Sequence, residues 1–472
     1  MAIVDVPTPA LPLERLLPVI GRDRMKHLVG GARRAADRMR GRTFWNISST
    51  ATGGGVAEML RVLVGYGRGA GLDLRWSVIE GDEQFFAITK RLHHWIHGMP
   101  GDAGPLSIRE AEHYQEILRV NAVDLVPQVQ RGDVVILHDP QTAGLASALG
   151  AAGAHVVWRC HIGADCENGY TQAAWDFLRP YLDAVEAAVF SRRAYVPSWM
   201  PAEIVAVVPP SIDPFSPKNQ ELDEATVRAI LSRAGILAVE NTGDARFVRR
   251  DGSQGSVVRT ASVIGEGGPT SPDIPLVVQV SRWDPLKDMA GVMEAFARIA
   301  PDTHGELLLV GPATHGVSDD PEGATVLAEC IERWRGLAQD VRCRVRLVTV
   351  PMDDVDENAA IVNAIQRHAA VIVQKSLAEG FGLTVTEAMW KGRAVLASAV
   401  GGIVDQLTES TGVLLDDPSD LDEASRQMRL LLEDPPRRAT LGAAAQAHVR
   451  ARYVGDRHLL RYARLLDVLL RN

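Results

Sequence analysis

The chain has 472 residues, a length that favours two large domains or three small ones over a single core. Apolar residues make up 46% and charged residues 23%, which is typical of an ordinary globular protein and excludes a disordered chain. The 50 basic and 59 acidic residues give a formal charge of -9, which disfavours nucleic acids and anionic membranes as partners.

Cysteine usage and hydropathy bear on the compartment. The four cysteines, Cys160, Cys166, Cys330 and Cys343, are scattered and show no CxxC spacing, so we expect no disulfide framework and a reducing, cytoplasmic location. The N-terminal residues lack a basic leader, and no apolar run reaches the roughly 18 residues of a membrane span. Neither secretion nor membrane insertion is expected.

Lysine is unusually rare in this sequence. Only six of the 50 basic residues are lysines, at positions 26, 90, 218, 287, 375 and 391. Where arginine is the default cation, a lysine at a loop or a strand end raises the question of whether a compact point charge is needed there.

Short apolar runs rich in β-branched residues alternate with stretches of helical period, the pattern of parallel sheets covered by helices. In the first half of the chain, strands are predicted near 43–49, 74–79, 133–138, 155–160 and 187–190. In the second half, they are predicted near 276–281, 306–310, 344–350, 370–374 and 394–398. Two successive sets predict an α/β protein with two Rossmann-like, doubly wound domains, each able to bind a ligand at the carboxyl ends of its strands.

The predicted domain boundaries follow from proline, glycine and serine content. We expect an N-terminal domain over 1–210, an interdomain linker with an insertion over 211–275, and a C-terminal domain over 276–450. Within the linker, 245–264 holds two apolar segments around a DGS turn, which predicts a small hairpin or an ordered lid. The tail from 421 onward holds three amphipathic segments, the last of which falls in 451–472.

The most specific motif lies in the segment 374–402. A strand ends at Gln374, a loop carries the letters EGFG from Glu379, and a helix begins near Thr384. Glycines allow a close backbone approach to a ligand, and the helix start offers unpaired N–H groups to a phosphate. Glu379 in the loop and Glu387 about one turn into the helix are suited to gripping hydroxyls of one extended ligand. A glycine turn with solvated glutamates is the alternative for any single EG pair.

Two further motifs stand at predicted strand ends. Arg282 and Lys287 lie five apart in the loop after the strand near 276–281; in isolation, a loop with two solvated surface charges is the more common interpretation, and the position at a strand end favours a ligand site. Gly54 and Gly55 belong to a run of three glycines between a strand and a helix, a weak motif that equally fits a helix-start spacer.

Histidines end two successive predicted strands of the first half. His138 and His161 should both point toward the ligand side if the sheet is parallel. A lone histidine is more often structural, but two at consecutive strand ends make a functional and a structural role about equal for His138 and favour a functional role for His161. The acidic run at 352–358 could suggest a metal site, but isolated loop carboxylates are more often solvated, and we assign no metal.

These motifs together carry a family resemblance. The segment from Glu379 to Glu387 matches the E-x7-E motif of retaining glycosyltransferases with the GT-B fold, specifically family four, and its extension resembles the trehalose synthases of that family. The resemblance implies that Glu379 contacts the donor sugar, that Glu387 binds the ribose, and that Arg282 and Lys287 neutralise the donor diphosphate. It further implies a donor site that includes Gly54, Gly55, Gly380, Phe381, Gly382, Leu383 and Thr384.

The segments HDPQ and WRCH also resemble trehalose synthases. They imply an acceptor site built from His138, Asp139, Gln141, Arg159 and His161, with His161 near the reacting centre. In the family an aspartate follows this histidine by two positions, whereas this chain has Gly163, which puts the identity of the acceptor in doubt.

The resemblance implies a retaining hexosyltransferase that moves glucose from a nucleoside diphosphate glucose to glucose, forming α,α-trehalose, without a metal or other cofactor. Its substrates would be small molecules bound in a cleft between the domains, the last helix would cross back to the N-terminal domain, and a homodimer is a family expectation. Three alternatives remain: a trehalose phosphorylase, transfer to another small polyol or aminocyclitol, and a non-catalytic nucleotide-sugar sensor.

Overall fold

The computed structural model describes residues 3–51, 54–239, 243–314 and 322–471. Within these ranges, the strands are β1 (Ile3–Asp5), β2 (Phe44–Ser48), β3 (Leu74–Ile79), β4 (Val134–His138), β5 (His155–Cys160), β6 (Ala187–Phe190), β7 (Val205–Val207), β8 (Arg246–Val248), β9 (Gln254–Ser256), β10 (Ser262–Ile264), β11 (Leu276–Val280), β12 (Glu306–Pro312), β13 (Val345–Val350), β14 (Val371–Gln374), β15 (Ala394–Ser398) and β16 (Val413–Leu415).

The helices of the same ranges are α1 (Leu17–Arg38), α2 (Gly54–Gly69), α3 (Glu83–Ile96), α4 (Ile108–Leu125), α5 (Ala146–Ala151), α6 (Gly169–Leu182), α7 (Glu224–Arg233), α8 (Met289–Ile299), α9 (Gly323–Arg335), α10 (Gln339–Arg342), α11 (Val355–His368), α12 (Leu383–Trp390), α13 (Leu421–Glu433), α14 (Pro435–Arg452) and α15 (Gly455–Leu469). A search of the described helices finds none with the length and apolar character needed to cross a membrane.

The chain divides into two compact units. Unit 1 comprises Met1–Ser211, Glu379–Phe381 and Tyr453–Asn472, and unit 2 comprises Ile212–Ala378 and Gly382–Arg452. Each unit has its own sheet, so each can be treated as a separate folding core.

The sheet of unit 1 has the strand order β1-β3-β2-β4-β5-β6-β7. All neighbours are parallel except β1, which pairs antiparallel with β3 at the edge. Strands β2 and β4 are buried along their whole length, because helices cover both faces of a parallel sheet. The chain reverses direction across the sheet between β2 and β4, and this switch point is where such sheets bind ligands.

The sheet of unit 2 repeats this plan with the order β10-β13-β12-β11-β14-β15-β16. Its neighbours are parallel except for the edge strand β10, which runs antiparallel to β13. The switch point lies between β11 and β14, whose residues Val277 and Val371 are in register. Arg282 and Lys287 lie in the loop that follows β11, at the carboxyl-terminal edge where such sheets bind ligands.

All ten predicted strands are present within one or two residues of their expected ends, and the three predicted helices of the tail are α13, α14 and α15. The strands that pattern reading missed are three-residue elements, mostly at sheet edges, such as β1, β7 and β16. A run this short carries no periodicity to distinguish it from a loop. Their pairing is supplied by the neighbouring long strand rather than by their own sequence.

The interval 211–275 departs from the expectation of an interdomain linker, because from Ile212 onward it belongs to unit 2. It contains helix α7, the antiparallel hairpin of β8 and β9, and the edge strand β10. The hairpin lies on the start of α11, where Arg249 forms two hydrogen bonds with Asp354 at 3.0 and 2.7 Å. Proline and glycine marked its turns correctly, but composition does not show whether a turn-rich segment is packed.

The same contact explains the acidic run at 352–358. Arg250 pairs with Asp356 at 3.0 Å, and the buried carboxylate of Glu357 accepts from two backbone N–H groups and pairs with Arg259. These carboxylates therefore form ion pairs with arginines of the insertion. Among the described residues, no group of three or more potential metal ligands is found.

Helix α15 is part of unit 1, where it packs along α1. Arg24 of α1 forms a two-pronged ion pair with the buried Asp456 at 2.6 and 2.9 Å. Gly31 permits the close approach, because a Cβ there would lie 2.5 Å from Leu460. The final helix is consequently fixed to α1 by both an ion pair and close packing.

Candidate active site

A chain of hydrogen bonds runs through buried side chains at the switch point of unit 1. His138 ends β4, and its Nε2 lies 3.2 Å from Oδ1 of Asn46 on β2. Its Nδ1 lies 3.0 Å from Nε2 of His161, which follows β5, and the two rings stack at 5.3 Å. Arg159 Nε lies 3.3 Å from both ring nitrogens of His161 and can donate to its Nδ1. Because Arg159 can only donate and Asn46 Oδ1 can only accept, the chain is consistent when both histidines are neutral and protonated on Nε2.

The electrostatics favour the same protonation state. Burial and the nearby charge of Arg159 lower the pKa of His138 to about 3. The pKa of His161 is lowered well below its usual value by burial, by Arg159 and by His138. Both rings are therefore neutral at physiological pH, and they can exchange hydrogen bonds with an uncharged hydroxyl without a change of net charge.

Asp139 and Gln141 occupy the turn after β4. Asp139 has a left-handed backbone (φ 62°), and its carboxylate accepts the backbone N–H of His161 at 2.7 Å. Burial raises the pKa of Asp139 to about 7 against the opposing effects of that hydrogen bond and of Arg159. Gln141 Oε1 and Asn46 Nδ2 are buried and have no hydrogen-bond partner among the described residues. Such atoms cost free energy unless a ligand satisfies them.

Arg159 is fully buried and connects the histidines to the last helix. Its Nη1 donates to the hydroxyl of Tyr462 on α15 at 2.8 Å, and its Nη2 donates to the carbonyl of Val208 at 2.9 Å. Sequence analysis did not identify Tyr462, which stands 303 residues further along the chain. Arg159, a predicted acceptor residue, thus links His161 to Tyr462 of the last helix and helps to orient the His161 ring.

The tip of the glutamate loop, Glu379–Phe381, is grouped with unit 1. Tyr195 Oη donates to the carbonyls of Glu379 and Gly380 at 2.9 and 2.5 Å. A Cβ at Gly163 would lie 2.1 Å from Cγ of the same tyrosine ring. The ring of Tyr195 therefore fills the space that a side chain at position 163 would need, which gives a steric reason for glycine there.

In unit 2, the loop after β11 is held by two aspartates. Asp284 accepts the backbone N–H of Leu286 at 2.9 Å and pairs with Arg282 at 3.1 Å. Asp288 has a left-handed backbone (φ 46°) and caps α8 by accepting the N–H of Gly291 at 3.0 Å. Lys287 and Arg282 are partly exposed, so they present cationic groups on a loop with a fixed backbone.

Buried polar groups connect this loop to β14. Gln279, at the end of β11, donates to the carbonyl of Lys287 at 2.7 Å and accepts the backbone N–H of Lys375 at 3.2 Å. The ammonium of Lys375 is 1% exposed and forms an ion pair with Asp288. Lys375 thereby gains a structural role that sequence analysis left open, since it ties the two loops of the switch point together.

The start of α12 has a glycine where the backbone requires one, as the sequence predicted. Gly382, the N-cap, has a left-handed backbone (φ 83°) that favours glycine. The hydroxyl of Thr384 donates to Gln374 Oε1 at 3.0 Å, which places the helix start beside the end of β14. One turn on, Glu387 is 2% exposed and pairs with Lys218 at 3.2 Å. Leu383 is the first residue of the helix.

The predicted site residues therefore fall into two groups. Unit 1 brings together His138, Asp139, Gln141, Arg159 and His161 and includes the tip residues Glu379, Gly380 and Phe381. Unit 2 contains Arg282, Lys287, Gly382, Leu383, Thr384 and Glu387 at one switch point. Gly54 and Gly55 are the first residues of α2, and Gly53 of the same glycine run lies outside the described residues.

Two family models match the chain. The model described as trehalose synthase, N-terminal domain, matches residues 46–197, and the model described as glycosyl transferases group 1 matches residues 353–448. A trehalose synthase of Rubrobacter xylanophilus is 34% identical over 449 residues, which cover 94% of this chain and 95% of that protein. A trehalose synthase of Pyrococcus horikoshii is 33% identical over 97% of this chain and 96% of its own length.

Solved structures share the fold at low sequence identity. A sucrose-phosphate synthase from Thermosynechococcus elongatus aligns with a TM-score of 0.60 and 19% identity, covering 91% of this chain and 99% of that one. An alpha,alpha-trehalose-phosphate synthase (UDP-forming) from Burkholderia vietnamiensis aligns with a TM-score of 0.64 and 14% identity over the same shares.

Two Rossmann-like units of this topology, matched by glycosyltransferase models, define a hexosyltransferase with the GT-B fold. Within that class, the chain belongs to the trehalose synthase family. Its function is accordingly of the glycosyltransferase type and concerns trehalose.

Proposed function

We propose that this enzyme transfers glucose from a nucleoside diphosphate glucose to glucose, with retention of configuration, and forms α,α-trehalose. The observation that carries the proposal is the pair of cations, Arg282 and Lys287, on a fixed loop at the unit 2 switch point. The likeness to trehalose synthases over nearly the whole chain supports the product.

The donor is assigned to unit 2 on electrostatic grounds. A diphosphate leaving group gains negative charge as the glycosidic bond breaks, and preorganised cations stabilise that charge more in the transition state than in the ground state. Arg282 and Lys287 supply two such cations. Glu379 is assigned to the donor glucose hydroxyls and Glu387 to the ribose, while the backbone from Gly380 to Thr384 faces sugar and phosphate.

The acceptor is assigned to unit 1, where the two histidines are neutral and the guanidinium of Arg159 is hydrogen-bonded within the unit. Neutral His138 and His161, together with the unpartnered Asn46 Nδ2 and Gln141 Oε1, offer donors and acceptors to the hydroxyls of an uncharged sugar. Arg159 is occupied by Tyr462, Val208 and His161, so it orients the histidines rather than attracting an anion.

The chemical step needs no covalent intermediate on the enzyme. The anomeric hydroxyl of the acceptor forms the new bond to C1 of the donor glucose on the face that the diphosphate leaves, and the bond from C1 to the phosphate oxygen breaks. The acceptor proton passes to the departing phosphate oxygen, which balances charge on both sides. The enzyme contributes position and electrostatic stabilisation.

The test is a matrix of nucleoside diphosphate glucoses (ADP, GDP and UDP forms) against glucose and small polyols, with product linkage determined by NMR. We expect α,α-trehalose and free nucleoside diphosphate from at least one donor. Absence of trehalose from every donor, with another disaccharide or pseudo-disaccharide formed instead, would reassign the acceptor.

Phosphorolysis is the second candidate, because a trehalose phosphorylase of Pleurotus pulmonarius is 24% identical over 85% of this chain. The alignment covers 54% of that longer protein, and the likeness is weaker than that to the trehalose synthases. Incubation with trehalose and orthophosphate distinguishes the two, since a phosphorylase releases glucose 1-phosphate and glucose, and the proposed enzyme does not.

We further propose that transfer requires no metal ion, because Arg282 and Lys287 supply the countercharge of the diphosphate. Initial rates should be unchanged by EDTA and by added Mg²⁺. A rate that falls with EDTA and recovers with Mg²⁺ would contradict this part of the proposal.

A further inference from the structure

A short segment of the insertion, Pro217–Gln220, lies against helices α11 and α12. Asn363 of α11 donates to the carbonyls of Pro217 and Gln220 at 3.1 and 2.9 Å. From α12, the indole of Trp390 donates to the carbonyl of Asn219 at 3.0 Å. The backbone of the segment is thus held by side chains of two helices, which fixes the position of Lys218 within it.

Lys218 forms an ion pair with Glu387, the residue predicted to bind the ribose. Its ammonium lies 3.2 Å from Oε1 of Glu387, whose side chain is 2% exposed, and the lysine side chain itself is 20% exposed. A buried carboxylate is costly unless it is paired, so the ammonium stabilises the charged form of Glu387. The contact also restricts the rotamers that the carboxylate can adopt.

A second lysine supports the same helix in a different way. The buried ammonium of Lys391 donates to Asn219 Oδ1 at 3.1 Å, to Gln366 Oε1 at 2.7 Å and to the carbonyl of Glu387 at 3.3 Å. Lys391 therefore holds the backbone at position 387, whereas Lys218 contacts the side-chain carboxylate. The two lysines form a natural pair of test and control.

We propose that Lys218 is a positioning residue of the donor site, which orients the carboxylate of Glu387 toward the ribose hydroxyls of the nucleotide. This inference rests on the ribose role proposed above for Glu387. Lysine suits the task because one ammonium engages the edge of a carboxylate at Oε1. The arginine fork tends to bind both carboxylate oxygens and would compete with the ribose.

The experiment measures nucleotide binding, which does not depend on turnover. ADP, GDP and UDP are titrated calorimetrically into the full-length protein, and the nucleotide that binds most tightly is compared with its 2′,3′-dideoxy form. The readout is the ratio of the two dissociation constants. In the unmodified protein we expect the ribose form to bind about 10-fold to 100-fold more tightly, the range for hydrogen bonds to a carboxylate.

In Lys218→Met, the Glu387 carboxylate is no longer oriented, and its hydrogen bonds to the ribose hydroxyls are weakened. The ribose form should therefore bind less tightly, and the ratio is expected to fall to within about 3-fold of unity. Lys218→Arg should also lower the ratio while keeping the positive charge. Glu387→Gln should lower it as well, and the double variant with Lys218→Met should lower it no further. Lys391→Met is the matched control, for which both nucleotides weaken equally and the ratio stays unchanged.

A purely structural role for Lys218 predicts a different outcome, in which both nucleotides weaken equally and the ratio is preserved. That result, in a Lys218→Met variant with an unchanged unfolding temperature, would overturn the inference. Lack of ribose discrimination in the unmodified protein would overturn it too, and would leave the transfer reaction standing. Discrimination without any glucosyl transfer would instead refute the proposed function and leave the role of Lys218 intact.

Discussion

At the switch point of unit 1, the buried guanidinium of Arg159 meets a histidine nitrogen, a tyrosine hydroxyl and a carbonyl. At the switch point of unit 2, the cations meet carboxylates, as in the pairs Lys375 with Asp288 and Lys218 with Glu387. The two sheets share one topology, with an antiparallel edge strand and the same reversal of direction. Their sites nevertheless differ in how buried charge is balanced.

This difference in charge makes each unit suited to a different one of the two proposed substrates. In unit 1, burial and the positive charge of Arg159 keep His138 and His161 neutral, which leaves uncharged hydrogen-bonding groups that suit an uncharged sugar. In unit 2 the buried Lys375 and the partly buried Lys218 are paired with carboxylates, and Arg282 and Lys287 are partly exposed on the loop proposed to bind the diphosphate. A local cationic site within a protein of net charge -9 is suited to one small diphosphate.

The largest effect is expected from removing a cation of unit 2. Lys287→Ala should lower kcat/KM by about 10²–10³-fold, the cost of deleting one preorganised group that stabilises developing charge. The KM for the acceptor should not change, because unit 1 is untouched. Lys26→Ala, at a side chain that is 81% exposed on α1, is the control with full activity. Equal loss of donor and acceptor affinity in Lys287→Ala would contradict the division of roles.

In unit 1, Gly163→Ala tests the packing of Tyr195 against position 163. The backbone at Gly163 does not have a positive φ, so alanine is conformationally allowed and the effect is steric. Its Cβ would lie 2.1 Å from the ring of Tyr195, which predicts a loss of about 3 kcal/mol in the free energy of unfolding.

Urea denaturation measures this loss, and the same substitution in a Tyr195→Ala background supplies the control. There the added methyl group should cost less than about 1 kcal/mol, because the clashing ring is gone. The same loss of unfolding free energy in both backgrounds would show that the ring of Tyr195 is not what excludes a side chain at position 163.

The neutral histidines predict an acid-sensitive unit 1. The folded pKa of His138 is about 3, below the unfolded value near 6.5, so unfolded chains take up a proton that folded chains do not. Its contribution to stability is present above pH 6.5 and is lost as the pH falls toward 3. Asp139, with a raised pKa of about 7, has the opposite sign, since its contribution is lost as the pH rises toward 7.

A variant isolates the histidine effect from that of Asp139. The loss of stability between pH 7 and pH 5 should be about 2 kcal/mol smaller in His138→Asn than in the unmodified protein, as measured by urea denaturation at both values. His27→Asn, at an exposed position of α1, should leave the difference unchanged. An identical pH dependence in His138→Asn would mean that His138 is not buried in the neutral form.

Much of this site followed from sequence because parallel strands place their carboxyl-terminal residues at one edge. The runs that gave β4 and β11 are fully buried and rich in β-branched residues, so both their position and the loops after them were predictable. His138, His161, Arg282 and Lys287 follow directly from that geometry.

The residues that were missed come from distant parts of the chain. Tyr462 reaches Arg159 across 303 positions, and Lys218 meets Glu387 across 169; periodicity, which reads neighbours, has no access to such pairs. The single sequence signal for Lys218 was the rarity of lysine. The hairpin within 211–275 was predicted from its turn, but its attachment to unit 2 was not, because proline and glycine report backbone turns, whereas the packing of the hairpin depends on arginines matched to the acidic run.

The smallest effect is expected where that hairpin meets α11. Arg249→Met removes the pair with Asp354, a partly exposed contact, and should lower the free energy of unfolding by about 0.5–1 kcal/mol at pH 7. The hydrogen bonds from Arg249 hold the pKa of Asp354 at about 2, so the contribution is present above pH 4 and fades as the pH falls toward 2. Arg246→Met, at a side chain that is 66% exposed on the same hairpin, should have no measurable effect. If Arg249→Met alone lowers the free energy of unfolding and transfer activity is unchanged, the hairpin stabilises unit 2 without taking part in the reaction. A loss of donor affinity in Arg249→Met would instead extend the cationic site of unit 2 to the insertion.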